Sequence, residues 1–140
     1  MVKINEEDYP IVSVKFENTA TIEETQQYLD RFSNWLSRDH LFGLILHQPQ
    51  ATPDNPEEIE RAKKSHQLVV TWAKPNKPKI ARYCVGIAVV VDLSQMSKHK
   101  QKIAPKALKV LFGCSGQIFG DRANAEQWIH RTLNKSMEEE

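Results

Sequence analysis

The segment Tyr83-Cys-Val-Gly-Ile-Ala-Val-Val-Val91 is the most strand-like stretch of the chain, and it decides the fold class. It is an almost unbroken apolar run rich in β-branched residues, which is typical of a strand buried on both faces. Leu41–Leu46 shows the same pattern, and Ile11–Phe16 is an alternating, β-branched segment of strand length. A short last strand is expected at Gln117–Phe119. Val2–Asn5 is expected to form no more than a short edge strand.

Helical signals lie between these strands. Thr21, followed three residues later by Glu24, is a capping box that opens the first helix. Pro56 is placed for the first turn of a second helix, where a proline is favourable. Pro75 is expected to end that helix at about Lys74, because a proline inside a helix removes a hydrogen bond and clashes with the preceding turn.

Two more helices complete the alternation. The third is expected over Ala104–Phe112, with Pro105 near its start, and the fourth from about Arg122 to Lys135. This strand–helix alternation predicts right-handed crossovers and an α/β fold with one mainly parallel or mixed sheet of four to five strands. About four helices would cover the sheet in a single domain, residues 1–136, followed by an acidic tail, 137–140, that is expected to fray.

Composition narrows the class of protein. The chain has 140 residues, of which 40% are apolar and 26% charged, as in an ordinary globular domain. Its longest apolar run is far shorter than the roughly 20 residues of a membrane-spanning helix, and its polar, acidic first residues do not resemble a signal peptide. Cys84 and Cys114 have no CxxC spacing and are interpreted as reduced thiols of a cytoplasmic protein, with an oxidised pair as the less favoured alternative.

Charge is distributed unevenly along the chain. Residues 1–60 hold four basic and twelve acidic side chains, whereas residues 74–109 hold nine basic and one acidic. Such a chain can steer a charged partner or a second copy of itself. The alternative, slightly favoured, is that the two regions fold side by side and neutralise one another.

No catalytic or metal motif stands out. The phosphate-binding patterns GxGxxG and GxxxxGK[ST] are absent, and the five histidines lack zinc-type spacing, so neither a metal nor a cofactor is expected. In a parallel sheet the carboxyl ends of the strands form the usual ligand edge. Glu17, His47, Asp92 and Asp121 would lie there, which leaves an enzyme using strand-end residues as a minor hypothesis.

Leu68 and Trp72 form the first candidate surface. They lie one turn apart on the second helix, off a stripe predicted to face the core. That stripe consists of Ile59, Ala62, His66, Val69, Val70 and Ala73. An exposed Leu–Trp pair is typical of an interface with a protein partner or with a second copy in a homodimer.

The second candidate surface is a basic patch of four residues, Lys98, Lys102, Lys106 and Lys109. If the segment were one helix, they would share an arc of about 80°, opposite an apolar set. That set is Ile103, Ala107, Val110 and Leu111. The patch could contact acidic lipid, nucleic acid or an acidic protein face, although Pro105 argues against a continuous helix and a solvated face is the default. Nucleic acid has the least support, because no aromatic residues are interleaved for base stacking.

The end of the chain carries a resemblance to a known family. Ala107-Leu-Lys-Val-Leu-Phe-Gly113, then Ile118-Phe119, Asp121, Ala125 and Trp128-Ile129 form a closing helix–strand–helix run. With the order of the earlier elements, this run resembles the STAS superfamily, especially its SpoIIAA-like uncharacterised branch. The resemblance implies a non-enzymatic regulatory or protein-interaction module that acts by presenting a surface.

The same resemblance draws attention to the loop before the second helix. Anti-anti-sigma members of the family carry a phosphorylatable serine in an Asp-Ser-type motif there, whereas this chain has His47-Gln-Pro-Gln-Ala-Thr-Pro-Asp54. Thr52 is its only hydroxyl and thus its phospho-acceptor candidate, and His47, Gln48, Thr52 and Asp54 are the predicted ligand or partner residues. The alternative function is a binder of a small apolar or lipid-like ligand, peripheral to a membrane through the lysines.

Overall fold

The computed structural model describes residues 2–17, 20–48 and 55–139. Its strands are β1 (Val2–Asn5), β2 (Ile11–Phe16), β3 (Phe42–His47), β4 (Cys84–Val90) and β5 (Gly116–Phe119). Its helices are α1 (Ile22–Ser37), α2 (Pro56–Tyr83), α3 (Lys98–Phe112) and α4 (Arg122–Glu139). A short 3-10 turn, Leu93–Gln95, precedes α3.

The strands form one five-stranded sheet in the order β1-β2-β3-β4-β5. β1 is antiparallel to β2, and each of the other neighbouring pairs is parallel. Each parallel neighbour is reached through a helical crossover, as the alternation in the sequence predicts. The predicted α/β fold, a single mixed sheet with four helices, is confirmed, and Val2–Asn5 forms the antiparallel edge strand.

Two apolar layers hold the helices on the sheet. α1, α2 and α3 cover one face, where Phe32 and Trp35 of α1 and Ile80 of α2 are fully buried. α4 alone covers the other face, packing Ile129 onto β3 and β4. This packing is close because β3 has Gly43 at the contact, where an added Cβ would lie 2.7 Å from Ile129 Cγ1.

Side-chain caps begin α1, α2 and α4, and that of α1 is the predicted capping box. Thr21 Oγ1 accepts from the backbone N–H of Glu24 at 3.1 Å, and the Glu24 carboxylate accepts from the Thr21 N–H at 3.2 Å, so the capping box of α1 is confirmed. Asn55 caps α2, and Asp121 caps α4. Each cap satisfies an N–H group that a helix leaves without an internal partner.

α2 is longer than predicted, because it continues through Pro75 and Pro78 to Tyr83. Both prolines are exposed, and so are Thr71 and Lys74, the residues whose carbonyl oxygens lose their helical donors. The last turns remain helical because Ile80 is fully buried in the core. The prediction that Pro75 ends the helix is therefore wrong.

α3 also exceeds its prediction, since it begins at Lys98 rather than at Ala104 and holds Pro105 in its interior. Ser97 caps it, and the Gln101 side chain donates to the carbonyl oxygens of Leu93 and Met96 at 3.2 and 3.1 Å. These bonds fix the first turns against the preceding segment. At the other end of the chain, α4 extends to Glu139 rather than to about Lys135, and fraying of the tail, 137–140, stays a prediction.

Candidate binding surface on the third helix

His47, at the end of β3, is paired with a residue of α4. Its Nε2 atom lies 3.1 Å from Nη1 of Arg122, which also donates through Nε to Glu126 at 2.6 Å. Burial lowers the pKa of His47, and the charges of Arg122 and Lys15 lower it further. The neutral imidazole accepts the Arg122 hydrogen bond through Nε2, so the lone pair of that nitrogen is engaged.

The carboxylates at the same edge make local contacts. Asp92 accepts from the backbone N–H of Ser94 at 3.0 Å, and Asp121 caps α4. Glu17 pairs with Lys3 of the neighbouring strand at 3.4 Å. These contacts stabilise a turn, a helix start and a strand pair, and none of them favours the acid–base hypothesis.

The predicted loop is only partly described. Gln48 follows β3, where its backbone N–H donates to the carbonyl oxygen of Val90 at 3.1 Å and extends the sheet. Thr52 and Asp54 lie outside the described residues. Phosphorylation of Thr52 and recognition through this loop therefore stay predictions.

Leu68 and Trp72 pack against the main core, contrary to the prediction that they lie off the core stripe. The Trp72 ring centroid is 4.8 Å from that of Phe32, and its Nε1 donates to Ser33 Oγ at 2.9 Å. His66 is exposed instead. The predicted placement is wrong because α2 rests on α1 through Leu68 and Trp72, which turns much of the predicted stripe outward; an interface at this pair stays a prediction.

The two cysteines are free, buried thiols at the amino edge of the sheet. They line an open depression of about 380 Å³ together with Arg82 and Lys109. Burial raises the pKa of Cys84 well above its ordinary value, and the adjacent Cys114 raises it further. Because the thiolate is the reactive form, Cys84 is poorly suited to nucleophilic chemistry.

The outer face of α3 is the most distinctive exposed surface. All four predicted lysines are exposed along one side of a continuous helix, which Pro105 does not interrupt. Beside them, Val110 is 72% exposed and Ile103 43% exposed, with exposed Ala107 between them. At about 100° per residue, Lys100 falls on the opposite flank of this apolar strip. We call these residues the α3 docking face: Lys98, Lys100, Lys102, Ile103, Lys106, Ala107, Lys109 and Val110.

Packing on the inner side of α3 explains the exposure of the outer side. Phe112 is buried, and Leu108 approaches Gly116 so closely that an added Cβ there would lie 2.5 Å from Leu108 Cβ. The apolar set predicted to lie opposite the lysines is therefore divided, because Leu111 packs on the core while Ile103, Ala107 and Val110 point outward. The spacing of Leu108, Leu111 and Phe112 is the sequence signal that would have revealed this division.

The charges of the α3 docking face have no counterpart of opposite sign on the same helix. The helix contains five lysines and no acidic residue. Within the described ranges, no carboxylate lies within 4.0 Å of any of these lysines. Among the described residues, the α3 lysines therefore form no direct ion pair of the kind expected if the acidic and basic regions neutralised one another.

These observations define an α/β domain whose clearest exposed feature is a basic and apolar helix face. Over residues 2–17, 20–48 and 55–139, no three His, Cys, Asp or Glu side chains are grouped as a metal site would require. None of the described helices combines the length and apolarity needed to cross a bilayer. No protein-family model, curated protein or solved structure matches the chain.

Proposed function

We propose that this protein is a non-enzymatic interaction module that docks on an acidic surface through the α3 docking face. The observation that carries the proposal is a set of five exposed lysines, none paired with a carboxylate of the described residues, beside exposed Ile103 and Val110 on one continuous helix. Solvated lysines are common, but large aliphatic side chains exposed beside a lysine cluster are typical of an interaction site.

The physical roles of the two kinds of side chain are complementary. The lysines raise the rate of encounter with an anionic surface and orient the molecule during approach. Burial of Ile103 and Val110 in the bound state then adds a favourable hydrophobic contribution to the binding free energy, which salt does not screen. α3 needs no rearrangement to present both, since Leu108 and Phe112 already hold its inner side on the sheet and core.

The resemblance to the STAS superfamily supports a regulatory role of this kind. The mixed sheet, with an antiparallel first strand and a closing helix–strand–helix run, agrees with what that resemblance implies. A domain of this class acts by presenting a surface, which fits a chain whose strand-end carboxylates make capping and ion-pair contacts. Membership of the SpoIIAA-like branch is part of the proposal.

Binding to fluorescein-labelled poly-L-glutamate, followed by fluorescence anisotropy, tests the proposed function. The full chain is expected to bind at low salt, and the K102E/K106E variant to lose most of that affinity. The matched control is K63E/K64E, which reverses the same number of exposed lysines on α2. The absence of binding, or an equal loss in both variants, would contradict docking through α3.

A further inference from the structure

We propose that the acidic surface is the headgroup layer of an anionic lipid bilayer, with α3 lying in the membrane interface and Ile103 and Val110 inserted below the lysines. This inference rests on the proposed function and names its partner. It follows from three features of the described structure: the geometry of the apolar strip, the type of cation around it, and the position of α3 in the molecule.

The apolar strip has the geometry of a helix that lies flat on a surface. Ile103 and Val110 are seven residues apart, which places them two turns and about 10 Å apart on the same side of the helix. Ala107 fills the space between them. Val110 is the most exposed of the large hydrophobic side chains in the described ranges. A planar interface can receive both ends of this strip at once, without a matching pocket.

The cations around the strip are the kind that suits a lipid surface. All five are lysines and none is arginine, although protein interfaces are enriched in arginine and depleted of lysine. A lysine is a compact charge on a flexible stem, so it does not require an anion in one fixed orientation. Lysines on both flanks of the strip can extend their ammonium groups to the headgroups while their stems lie against the acyl boundary.

The position of α3 favours one orientation of the whole molecule. α3 packs against β5, one edge of the sheet, while α1 packs against β1 at the other edge, with α2 between them. α1 carries the acidic residues Glu23, Glu24 and Asp30 and packs at the β1 edge, so these carboxylates belong to the opposite edge of the sheet from α3, although Phe32 of α1 meets Phe112 of α3 in the core. When α3 lies on an anionic bilayer, the β1 edge with these carboxylates is directed away from it, which reduces their repulsion.

The test is flotation of the full chain with vesicles of mixed phosphatidylcholine and phosphatidylserine, and with vesicles of phosphatidylcholine alone. We expect flotation with the anionic vesicles only, and release at high salt. Each basic residue near such a surface contributes about fivefold in partitioning, so K102Q/K106Q is expected to bind on the order of 25-fold more weakly. The matched charge control K63Q/K64Q on α2 is expected to bind like the parent.

A second pair of variants tests insertion separately from charge. I103S/V110S keeps every lysine and is expected to lose at least tenfold in partitioning, since two buried aliphatic side chains become polar. I59S/V70S makes the same change at exposed positions of α2 and is expected to leave partitioning unchanged. All four residues are exposed, so circular dichroism of the variants is expected to match that of the parent.

The outcomes separate the two proposals. Binding to poly-L-glutamate through the α3 lysines, without binding to anionic vesicles, would overturn the bilayer assignment and leave the proposed function standing. Binding to neither probe would overturn both. Vesicle binding that persists in I103S/V110S, or that falls equally in I59S/V70S, would overturn insertion of the α3 strip.

Discussion

Trp72 and His66 lie on the same helix and have opposite environments. Trp72 packs its ring on Phe32 and donates to Ser33, whereas His66 faces solvent. The contact between α2 and α1 places both side chains. The pattern of hydrophobic residues along α2 alone does not reveal that contact. At this scale, burial and hydrogen bonding decide which substitutions the protein tolerates.

Replacement of Trp72 by alanine is expected to lower the free energy of unfolding by about 2–4 kcal/mol, because an aromatic contact and a hydrogen bond are lost and a cavity remains. Urea denaturation followed by circular dichroism measures the change. Val70→Ala, on the exposed side of the same helix, is the control and is expected to change stability by less than about 0.5 kcal/mol. Equal losses in the two variants would contradict the observed packing of α2.

His47 is expected to titrate below its ordinary value of 6.5, because burial and the charges of Arg122 and Lys15 disfavour the imidazolium. As the pH falls through 6.5, the unfolded chain takes up this proton before the folded one does, so the free energy of unfolding decreases with acidification. NMR titration of the ring protons measures the pKa directly. His47→Gln is expected to remove this part of the pH dependence, and His130→Gln, at an exposed position, to retain it.

At the level of elements, α2 shows how a helix can contain two prolines. Pro75 and Pro78 are exposed, while Ile80 beyond them is anchored in the core. Tertiary packing thus offsets the free-energy cost of the two backbone hydrogen bonds that the prolines remove from the helix. The joint variant P75A/P78A is expected to be more stable than the parent by about 1–3 kcal/mol, because alanine restores both donors without changing a buried contact.

Thermal or urea unfolding checks this gain. Pro56→Ala is the control, since a proline in the first turn removes no intrahelical hydrogen bond, and its stability is expected to stay within about 0.5 kcal/mol of the parent. A destabilised P75A/P78A variant would mean that the prolines contribute to the native packing.

The contact between α4 and the sheet depends on two glycines, Gly43 and Gly86. An added Cβ would lie 2.7 Å from Ile129 at the first and 2.8 Å from Trp128 at the second. Gly43→Ala is expected to destabilise the protein by about 1–3 kcal/mol, because Ile129 is fully buried and has little room to move. Urea denaturation measures the loss, and Gly120→Ala, whose nearest atom would be 3.3 Å away, is expected to lose less.

At the scale of the whole molecule, the separation of charge between α1 and α3 predicts one orientation on an anionic bilayer. A polarity-sensitive fluorophore attached at V110C is expected to shift to the blue on phosphatidylserine vesicles, and the same probe at I22C on α1 is not. Labelling is expected to favour the introduced cysteine, because Cys84 and Cys114 are buried in the folded chain. Equal shifts at the two sites would contradict a preferred orientation.

Much of the fold could be predicted from local patterns. The strand Cys84–Val90 and the capping box of Thr21 each depend on residues close in sequence, and each was found where the sequence indicated. Both errors in helix length, at Pro75 and Pro105, came from a local rule that treats proline as a helix end. That rule fails where packing on the core holds both sides of the proline in place.

The sequence by itself determined the α/β class, the order of the elements and the lysine-rich character of the third helix, because periodicity and composition are local properties. Only the tertiary structure decided which faces those helices expose. Leu68 and Trp72 are covered because α2 rests on α1, and Ile103 and Val110 are exposed because Leu108 and Phe112 already supply the contacts of α3. When a helix has more apolar residues than its neighbours can cover, some of those residues stay in solvent. Contacts between residues distant in sequence decide which residues these are.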